Sequence, residues 1–369
     1  MDIMKISKKS IRILSSILAL LMLAFIISAC SSQKTPSNTP ESTKEQAGAT
    51  ESLATSSTSG QQKADPDQDF VLKIGWGGSL CEAPLHMAVE KGFFEQEGLK
   101  VELIKLASGT TFDAVTAGQI DAGFSLLASM IQPLSNGLPV KITTGLHTGC
   151  DKVLVKKDSG IKSPKDFIGK KVGVSSYTAS PYIYAKRVLA DNGVNVTVKN
   201  PEVEFVVYSS ADLPLALENG AVDAIAMNDP SATIAAREND LEVIFDSALD
   251  EPYKDQYCCS AFVRENIARE HPEIAAKYTR AMQKASAWVQ ENKDEVAHIQ
   301  VENKWVAGDA KVNAEVLNTF NYIPSYSKAY EIFGIVAPQL QKVGMLDSDV
   351  DVKALQENSF ILLDNIPYE

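Results

Sequence analysis

Basic residues are scarce in this chain of 369 residues, which has 35 Lys and Arg against 47 Asp and Glu and a formal net charge of −12. Proteins that bind nucleic acid usually carry a basic excess or a basic stripe, so this kind of partner is excluded. Cysteine is scarce as well, and five cysteines in so long a chain do not make a disulfide scaffold. With 45% hydrophobic and 22% charged residues, the composition is that of a globular protein, and the length suits two domains.

The signature motifs of several enzyme classes are missing too. The sequence has no Gly-x-Gly-x-x-Gly dinucleotide motif, no P-loop and no nucleophile elbow. It has neither a Cys-x-x-Cys pair nor a His-x-x-x-His pair, the spacings that would favour a metal centre. We therefore predict a protein that is not an enzyme, and we assign it no cofactor, no catalytic residue and no metal ligand.

The chain begins with a segment of the signal-peptide type, 1–29. Basic residues precede a run of 17 residues without a charge, 13–29, a little short of the roughly 20 that a membrane-spanning helix needs. The run ends in Ile27-Ser28-Ala29-Cys30, which resembles the bacterial lipobox and implies cleavage before Cys30 and lipidation of its sulfur. An uncleaved signal anchor and an ordinary signal peptide are the alternatives.

Residues 30–69 are polar, and Leu53 is the one large apolar residue in 31–69. Such a stretch cannot bury enough apolar surface to fold, so we predict a disordered tether that holds the body, 70–369, off a membrane and outside the cytoplasm. A disordered tail without a tethering role is the alternative.

The body contains two blocks in which predicted strands and helices follow one another in the same order. The strongest local match is 114–122 against 216–224, 102 residues apart, where a helix end, a glycine and an apolar residue lead to Asp-Ala. Strands are predicted at 70–76, 101–106, 120–124 and 140–144 with helices at 83–94, 112–117 and 130–135, and strands at 171–174, 203–207, 222–226 and 243–245 with helices at 181–192, 213–219 and 231–238.

This duplication predicts an α/β fold of two similar lobes, each a mostly parallel sheet with helices on both faces. Chance similarity of two α/β segments is the alternative. From about residue 265 the pattern is helical, at 272–291, 294–305, 311–320 and 328–343, and these helices are expected to pack on the first lobe.

Two stretches, 90–103 (EKGFFEQEGLKVEL) and 159–174 (SGIKSPKDFIGKKVGV), resemble the nitrate/sulfonate/taurine group of ABC-transporter substrate-binding lipoproteins, related members of which bind thiamine pyrimidine precursors. The resemblance implies the type II periplasmic-binding-protein fold, in which two crossover strands form the hinge, here near 151–156 and 257–263. Lobe I would then comprise 70–153 and 256–369, and lobe II 154–255.

The same resemblance implies the extracytoplasmic solute-binding subunit of an ABC importer. Such a monomer, anchored to the membrane through Cys30, captures a small organic or oxyanionic solute (sulfonate, nitrate or pyrimidine-like) and delivers it to permease and ATPase subunits. The alternatives are a thiol-rich lipoprotein for a soft metal or metal complex, and a sensor lipoprotein without transport. The superfamily also resembles a pyrimidine synthase with a cysteine-rich run, of which Cys258-Cys259 is a much shorter version.

Ligands of such folds bind beyond the carboxyl ends of the strands. The loops there lead into helix N-termini rich in Ser, Thr and Gly, which suit an anionic group, and they carry two carboxylates that suit an amine. Ordinary helix capping is the alternative for each residue. The predicted ligand-binding residues are Ser79, Cys81, Glu82, Ser108, Gly109, Thr110, Ser125, Ser129, His147, Cys150, Ser176, Tyr177, Thr178, Asn228, Asp229, Tyr257 and Cys258.

The four cysteines of the body are expected around the floor of this cleft, and three interpretations of them remain open. A disulfide between Cys150 and Cys258 or Cys259 would join the two crossovers. Thiolates, together with His147, would suit a ligand or a soft metal. Buried inert thiols are the third interpretation, and it applies to Cys81 as well.

Overall fold

The computed structural model of the protein describes residue 67 and residues 69–107 and 109–366, which belong to one compact unit that begins at Lys63. The predicted signal peptide, Cys30, nearly all of the predicted tether and Ser108 lie outside the described residues. None of the helices in the described ranges is both long enough and apolar enough to span a bilayer.

Strands and helices alternate along the described part of the chain. The strands are β1 (Val71–Trp76), β2 (Lys100–Lys105), β3 (Ala122–Leu126), β4 (Val140–Thr148), β5 (Asp151–Lys156), β6 (Lys171–Val174), β7 (Glu204–Val207), β8 (Ala224–Asn228), β9 (Leu241–Asp246) and β10 (Tyr257–Arg264). The helices are α1 (Ala83–Glu90), α2 (Phe93–Gln96), α3 (Thr111–Thr116), α4 (Leu127–Ser135), α5 (Ser180–Asp191), α6 (Leu213–Glu218), α7 (Ser231–Glu238), α8 (Glu265–Glu270), α9 (Pro272–Glu291), α10 (Lys293–Glu302), α11 (Ala310–Leu317), α12 (Tyr326–Lys342) and α13 (Val352–Ser359).

The strands form two five-stranded sheets with the same plan. The first sheet has the order β2-β1-β3-β10-β4 and the second the order β7-β6-β8-β5-β9. In each sheet the first three strands are parallel, and the fourth pairs antiparallel with both of its neighbours. That fourth strand is the one that the chain enters from the other sheet, since β5 follows β4 and β10 follows β9. The predicted α/β fold with two mostly parallel sheets joined by two crossover strands is confirmed.

The repeated Asp-Ala motif has the same structural role in both sheets. The Lys73 N–H donates to Asp121 Oδ2 (3.2 Å), and the Asp121 N–H donates to the Lys73 carbonyl (2.7 Å). In the second sheet, the Lys171 N–H donates to Asp223 Oδ2 (2.8 Å), and the Asp223 N–H returns the bond to the Lys171 carbonyl (2.8 Å). Each aspartate therefore fastens the loop before the third strand of its sheet, β3 or β8, to the start of the neighbouring second strand, β1 or β6.

The helices that follow β10 pack on both faces of the first sheet. On one face, Leu72 of β1 and Tyr278 of α9 belong to one buried cluster, and the Tyr278 hydroxyl donates to the Gly123 carbonyl of β3 (2.6 Å). On the other face, Phe262 of β10 packs with Phe333 of α12. Burying such a side chain contributes about 1.5–3 kcal/mol, so these helices are integral to the first sheet.

Two of the differences between the predicted and the observed elements have a clear structural cause. The single helix predicted at 83–94 is two helices, α1 and α2, because Gly92 takes a positive φ of 68° that ends the helical path. The strand predicted to end at residue 144 continues to Thr148. Gly145 reads as a strand end, but here it lets the Tyr257 ring of β10 cross the strand, since a Cβ at 145 would lie 2.5 Å from that ring.

The connection from β4 to β5 takes an unusual backbone path. Gly149 and Cys150 have consecutive positive φ values of 83° and 113°. A Cβ at position 149 would lie 2.8 Å from the Ala248 Cβ, so glycine is required there. Cysteine pays a conformational cost at such a φ, and strained positions of this kind cluster at functional sites.

Candidate functional site

A small polar cavity lies where the two sheets meet, beside both crossover connections. Its volume is about 40 Å³, enough for a few water molecules. Tyr257 and Cys258 of the first sheet line it, together with Asp151 of the second sheet and Ser180 and Arg187 of α5. Two predicted site residues, Tyr257 and Cys258, thus reach a space that both halves of the molecule enclose.

Arg187 is the main cation of this space, and it joins the two halves. It lies on α5, which packs on the second sheet, and is only 6% exposed. Its Nε and Nη2 donate to Gln339 Oε1 of α12 (2.9 and 2.6 Å), and Nη2 also donates to Gln256 beside β10. The guanidinium lies 5.2 Å from the centre of the Tyr253 ring. Burial lowers the pKa of Arg187, and the neutral acceptors of its Nε and Nη2 groups do not cancel its charge.

Asp151 is the carboxylate of the cavity. It is buried, and its Oδ2 accepts from the Ser180 hydroxyl, while its N–H donates to Ser247 Oγ (2.8 Å). Burial raises the pKa of Asp151 to about 7. Near neutral pH this side chain therefore exists in both protonation states, so that it can donate or accept a hydrogen bond from a ligand.

Ser129 and Thr178, both predicted as ligand residues, meet across the gap between the two halves. Ser129 on α4 donates to the Thr178 carbonyl of the loop before α5 (3.2 Å). Within that loop, the Ser176 and Thr178 hydroxyls are 3.1 Å apart. The polar turns of the two halves thus face each other, and the structure is closed at this point.

Four cysteines from three separate segments gather beside the cavity, and we call Cys81, Cys150, Cys258 and Cys259 the thiol cluster. All four are free, and the Cys150 and Cys258 sulfurs are 2.6 Å apart. Hydrogen bonds from Cys150, Cys258 and Cys259 lower the pKa of the Cys81 thiol, whereas burial raises the pKa of Cys258 and Cys259. The sequence placed these cysteines around the cleft floor, and the structure brings them into contact with one another.

His147 completes this group. It is fully buried, and its ring lies against Phe320 (5.5 Å between centroids) and Tyr322 (5.0 Å). Nδ1 lies 3.0 Å from the Thr148 carbonyl oxygen, which can only accept, so Nδ1 carries the proton and Nε2 has a free lone pair. A ring nitrogen of His147, Cys81 Sγ and Cys259 Sγ lie within 4.8 Å of one another.

Ser79 and Glu82 are occupied within their own loop. The Glu82 carboxylate accepts from the N–H groups of Gly77 (2.7 Å), Gly78 (2.6 Å) and Ser79 (3.1 Å), and it lies 3.4 Å from His86 Nε2. This arrangement holds the turn after β1 in shape. The Ser-x-x-Glu spacing is that of a capping box and was the available signal for this role.

Asp229 is likewise engaged by protein groups. Its Oδ1 accepts from the N–H and hydroxyl of Thr233 in α7 (3.0 and 2.8 Å). Its Oδ2 lies 3.0 Å from Lys152 Nζ, which also lies 2.6 Å from Asp246 Oδ2. The three buried charges, Lys152, Asp229 and Asp246, form one ion triad beneath β5.

The remaining predicted residues lie apart from the cavity lining. Gly109 is exposed, and the Thr110 hydroxyl donates to the Ala107 carbonyl in its own turn (2.8 Å). Tyr177 is 54% exposed and donates to the Phe205 carbonyl (3.2 Å). Ser125 and Asn228 are half-buried at the ends of β3 and β8.

Two polar residues that line the cavity, Arg187 and Gln256, were not predicted from the sequence. Arg187 lies inside α5 and Gln256 just before β10, so neither belongs to a loop beyond a strand end. A basic residue on the apolar face of a helix was the available signal for Arg187, because that face buries Ile183 and Tyr184 as well.

The fold is that of the two-lobed periplasmic binding proteins. The structure superimposes on the periplasmic aliphatic sulphonate binding protein SsuA from Escherichia coli with a TM-score of 0.66 and 18% sequence identity, over 79% of this chain and 92% of that one. This likeness establishes the architecture.

The family follows from the sequence. A model described as NMT1/THI5 like matches residues 82–296, and the chain belongs to that family. A putative aliphatic sulfonates-binding protein of Bacillus subtilis is 25% identical over 82% of this chain and 91% of its own length. A 4-amino-5-hydroxymethyl-2-methylpyrimidine phosphate synthase of Aspergillus parasiticus is 24% identical over 58% of this chain and 64% of its own length. The predicted resemblance is confirmed.

Proposed function

We propose that the protein is the extracytoplasmic solute-binding subunit of an ABC importer, which captures a small solute between its two lobes and delivers it to a membrane permease. The observation that carries the proposal is the polar cavity at the junction of the two sheets. Groups from both halves line it, so a solute held there favours the closed arrangement by its own binding energy. The similarity to a sulfonate-binding protein over most of both chains supports this function.

Lobe I comprises 70–153 and 256–369 in this proposal, and lobe II comprises 154–255. The crossover strands β5 and β10 then form the hinge. A single chain supplies both walls of the cavity, which is why we infer a monomer.

The solute is a small organic or oxyanionic molecule of the sulfonate, nitrate or pyrimidine kind. Arg187 offers a guanidinium, which suits an oxyanion, and Ser180 lies in the first turn of α5, whose positive dipole end favours negative charge. Asp151 is suited to a ring nitrogen or an amine. Among the predicted loop residues, Ser129 and Thr178 form the hydrogen bond between the two closing surfaces, so we expect them to respond to the solute.

The protein is held outside the cytoplasm by a lipid on Cys30, with the residues that follow serving as a tether. The last residues of that segment already contact the body. Asp67 Oδ1 lies 2.6 Å from His271 Nδ1, and Asp69 Oδ1 lies 2.9 Å from Lys100 Nζ. Asp67 and Asp69 are therefore held to the body.

Binding is favoured over catalysis as the activity of this chain. The similarity to the binding protein spans 82% of the chain, against 58% for the synthase, whose reaction belongs to that protein. A lipid-anchored protein outside the cytoplasm has the location of an importer subunit. We therefore infer no enzymatic activity.

The test is calorimetric titration of the purified protein with methanesulfonate, taurine, nitrate and 4-amino-5-hydroxymethyl-2-methylpyrimidine. One of these is expected to bind with a Kd of about 1 μM or below, and to reduce the radius of gyration in solution scattering. Arg187→Met should weaken an oxyanion by about tenfold or more, while Arg237→Met, on an exposed ion pair, should change the Kd by less than about twofold. The proposal fails if none binds and native mass spectrometry of protein from its own host finds no bound solute.

A further inference from the structure

We propose that the thiol cluster and His147 form a binding site for one soft metal ion of the Zn²⁺, Cd²⁺ or Cu⁺ class. This inference goes beyond solute capture and does not depend on it, since the site would bind metal whether or not the cavity binds a solute. All four cysteines of the described residues lie in this cluster, although they come from the turn after β1, the first crossover connection and β10.

The distances between the candidate ligands suit a common ion. Cys81 Sγ, Cys259 Sγ and a ring nitrogen of His147 lie within 4.8 Å of one another, as do Cys150 Sγ, Cys258 Sγ and a carboxylate oxygen of Asp151. A tetrahedral Zn²⁺ with Zn–S bonds of about 2.3 Å places its sulfur ligands roughly 3.8 Å apart. Each set is compact enough to contact one ion, and hydrogen bonds of Cys81 to Cys150 and Cys258 join the two sets.

His147 is oriented as a ligand. Its Nδ1 proton is held by the Thr148 carbonyl (3.0 Å), the kind of outer hydrogen bond that fixes the tautomer of metal-binding histidines. Its Nε2 is fully buried and has no hydrogen-bond partner among the described residues. A buried lone pair without a donor carries a desolvation penalty, and coordination to a cation removes that penalty.

A second orphaned group lies at the same place. The Tyr322 hydroxyl is buried and has no hydrogen-bond partner in the part of the chain that the structure describes. The Tyr322 ring packs on His147 (5.0 Å). A thiolate bound to a metal still accepts hydrogen bonds, so the Tyr322 hydroxyl has an acceptor once the ion is in place.

The charge balance favours three thiolates and one imidazole. A divalent ion with three thiolates and a neutral histidine leaves a net charge of −1, whereas four thiolates leave −2, and buried net charge is costly. We assign Cys81, His147 and Cys259 as three ligands, with Cys150 or Cys258 as the fourth. Each thiol that binds forms a sulfur–metal bond and releases its proton to water.

The site has a route from solvent. Cys258 lines the cavity between the two halves, so an ion that enters the cleft meets this thiol first. Soft thiolate ligands select Zn²⁺, Cd²⁺ and Cu⁺ over Mg²⁺ and Ca²⁺, which prefer oxygen. Opening of the cleft is therefore the expected access path.

The test uses the full chain without a polyhistidine tag, purified anaerobically with a reductant that contains no thiol, and Cd²⁺ as the probe. One Cd²⁺ per chain is expected after gel filtration, with the ultraviolet charge-transfer band of thiolate–cadmium bonds. The ¹¹³Cd chemical shift of the unmodified protein, which reports the number of sulfur ligands, should indicate three. Ca²⁺ in excess should not displace the ion.

Variants assign the ligands. Cys81→Ser and Cys259→Ser should each weaken Cd²⁺ binding by at least about tenfold, and the double variant should lose the charge-transfer band. Tyr322→Phe, which removes only an outer hydrogen bond, should weaken binding by roughly tenfold while keeping the band. His86→Gln, a change at a buried histidine outside the group, should keep both stoichiometry and affinity.

Three results would overturn the assignment. The first is a reduced wild-type protein that takes up no stoichiometric Cd²⁺. The second is a folded Cys81→Ser/Cys259→Ser variant that binds Cd²⁺ as the wild type does. The third is a ¹¹³Cd shift typical of oxygen and nitrogen ligands, which remains informative if the double variant fails to fold. Because no solute enters these measurements, they stand apart from the calorimetric test of solute capture.

Discussion

The two crossover strands occupy equivalent positions in their sheets but carry different chemistry. At the start of β5, the Lys152 ammonium lies between the carboxylates of Asp229 and Asp246, so its charge is matched within the protein. At the start of β10, Cys258 and Cys259 lie in the thiol cluster, where the pKa values of Cys150, Cys258 and Cys259 are raised.

This difference shows how one position in a duplicated fold serves two purposes. Buried charges that are paired with each other are strongly coupled to the folded state, because removing one leaves the other uncompensated. Buried ligand atoms without such a partner carry a desolvation penalty in the free protein and remain available to a ligand that removes it. We therefore expect substitutions at β5 to act on stability and substitutions at β10 to act on binding.

The largest expected effect is that of Lys152→Met. It leaves two buried carboxylates without a cation and should lower the free energy of unfolding by about 3–5 kcal/mol, measured by chemical denaturation. The control is Lys100→Met, which removes an exposed ion pair with Asp69 and should cost about 0–1 kcal/mol. Equal losses in the two variants would show that the ion triad is not a structural unit.

Arg187→Met should have the next largest effect, because it breaks the contacts of α5 with Gln339 and Gln256. Hydrogen bonds from charged donors contribute about 1.5–3 kcal/mol, so the ligand-free protein should open and its radius of gyration should increase in solution scattering. Arg237→Met, on the exposed pair with Glu315, is the matched control and should leave the radius unchanged. If the radius of gyration were unchanged in both variants, the contacts of Arg187 would not be needed to keep the ligand-free protein closed.

Lys186 sharpens the comparison with Lys152, since its partner is the neutral Val343 carbonyl (3.0 Å). Burial lowers the pKa of Lys186 to about 8, whereas at Lys152 the two carboxylates outweigh burial and raise the pKa. The unfolded chain keeps a lysine proton up to about pH 10.4, so between about pH 8 and 10 it binds more protons than the folded protein. The free energy of unfolding of the wild type, relative to that of Lys186→Met, should therefore rise with pH over that interval. If the free energies of unfolding of the two proteins changed with pH in the same way, the lowered pKa of Lys186 would be wrong.

The smallest effect is expected for Ser129→Ala. This change removes one hydrogen bond between the two halves, worth about 0.5–1.5 kcal/mol, and only in the closed form. Because a cleft ligand binds the closed form, the change should weaken ligand binding by at most about tenfold, and it should lower the free energy of unfolding by no more than about 1.5 kcal/mol. The control is Ser176→Ala, because the Ser176 hydroxyl contacts Thr178 within a single loop, and this change should leave the affinity unchanged. If Ser176→Ala weakened binding more than Ser129→Ala, the Ser129–Thr178 hydrogen bond would not be the contact that closes the cleft.

Much of the fold was predictable because its signals are local. The match of 114–122 with 216–224 predicted two equivalent strands. These strands are β3 and β8, and each occupies the third position of its sheet. The break at Gly92 and the length of β4 were not predictable, because the first depends on one backbone angle and the second on pairing with β10, more than 100 residues away.

The candidate site was predictable only in part. Cys258 and Tyr257 were named because the resemblance placed them at a crossover, and they line the cavity. Glu82 and Asp229 were named for their charge, but backbone N–H groups and Lys152 occupy their oxygens. Arg187 was not named, because its position on the apolar face of α5 indicates burial but not which element that face contacts.

The amino-acid order by itself determined the alternation of strands and helices, the duplication and the family, since periodicity, turn glycines and motif spacing act within a few residues of each other. Only the tertiary structure decided which polar groups form hydrogen bonds or ion pairs within the protein and which remain available to a ligand. Those partners come from distant segments, and no local pattern records that Cys81, His147 and Cys259 share one buried space while Lys152 finds two carboxylates.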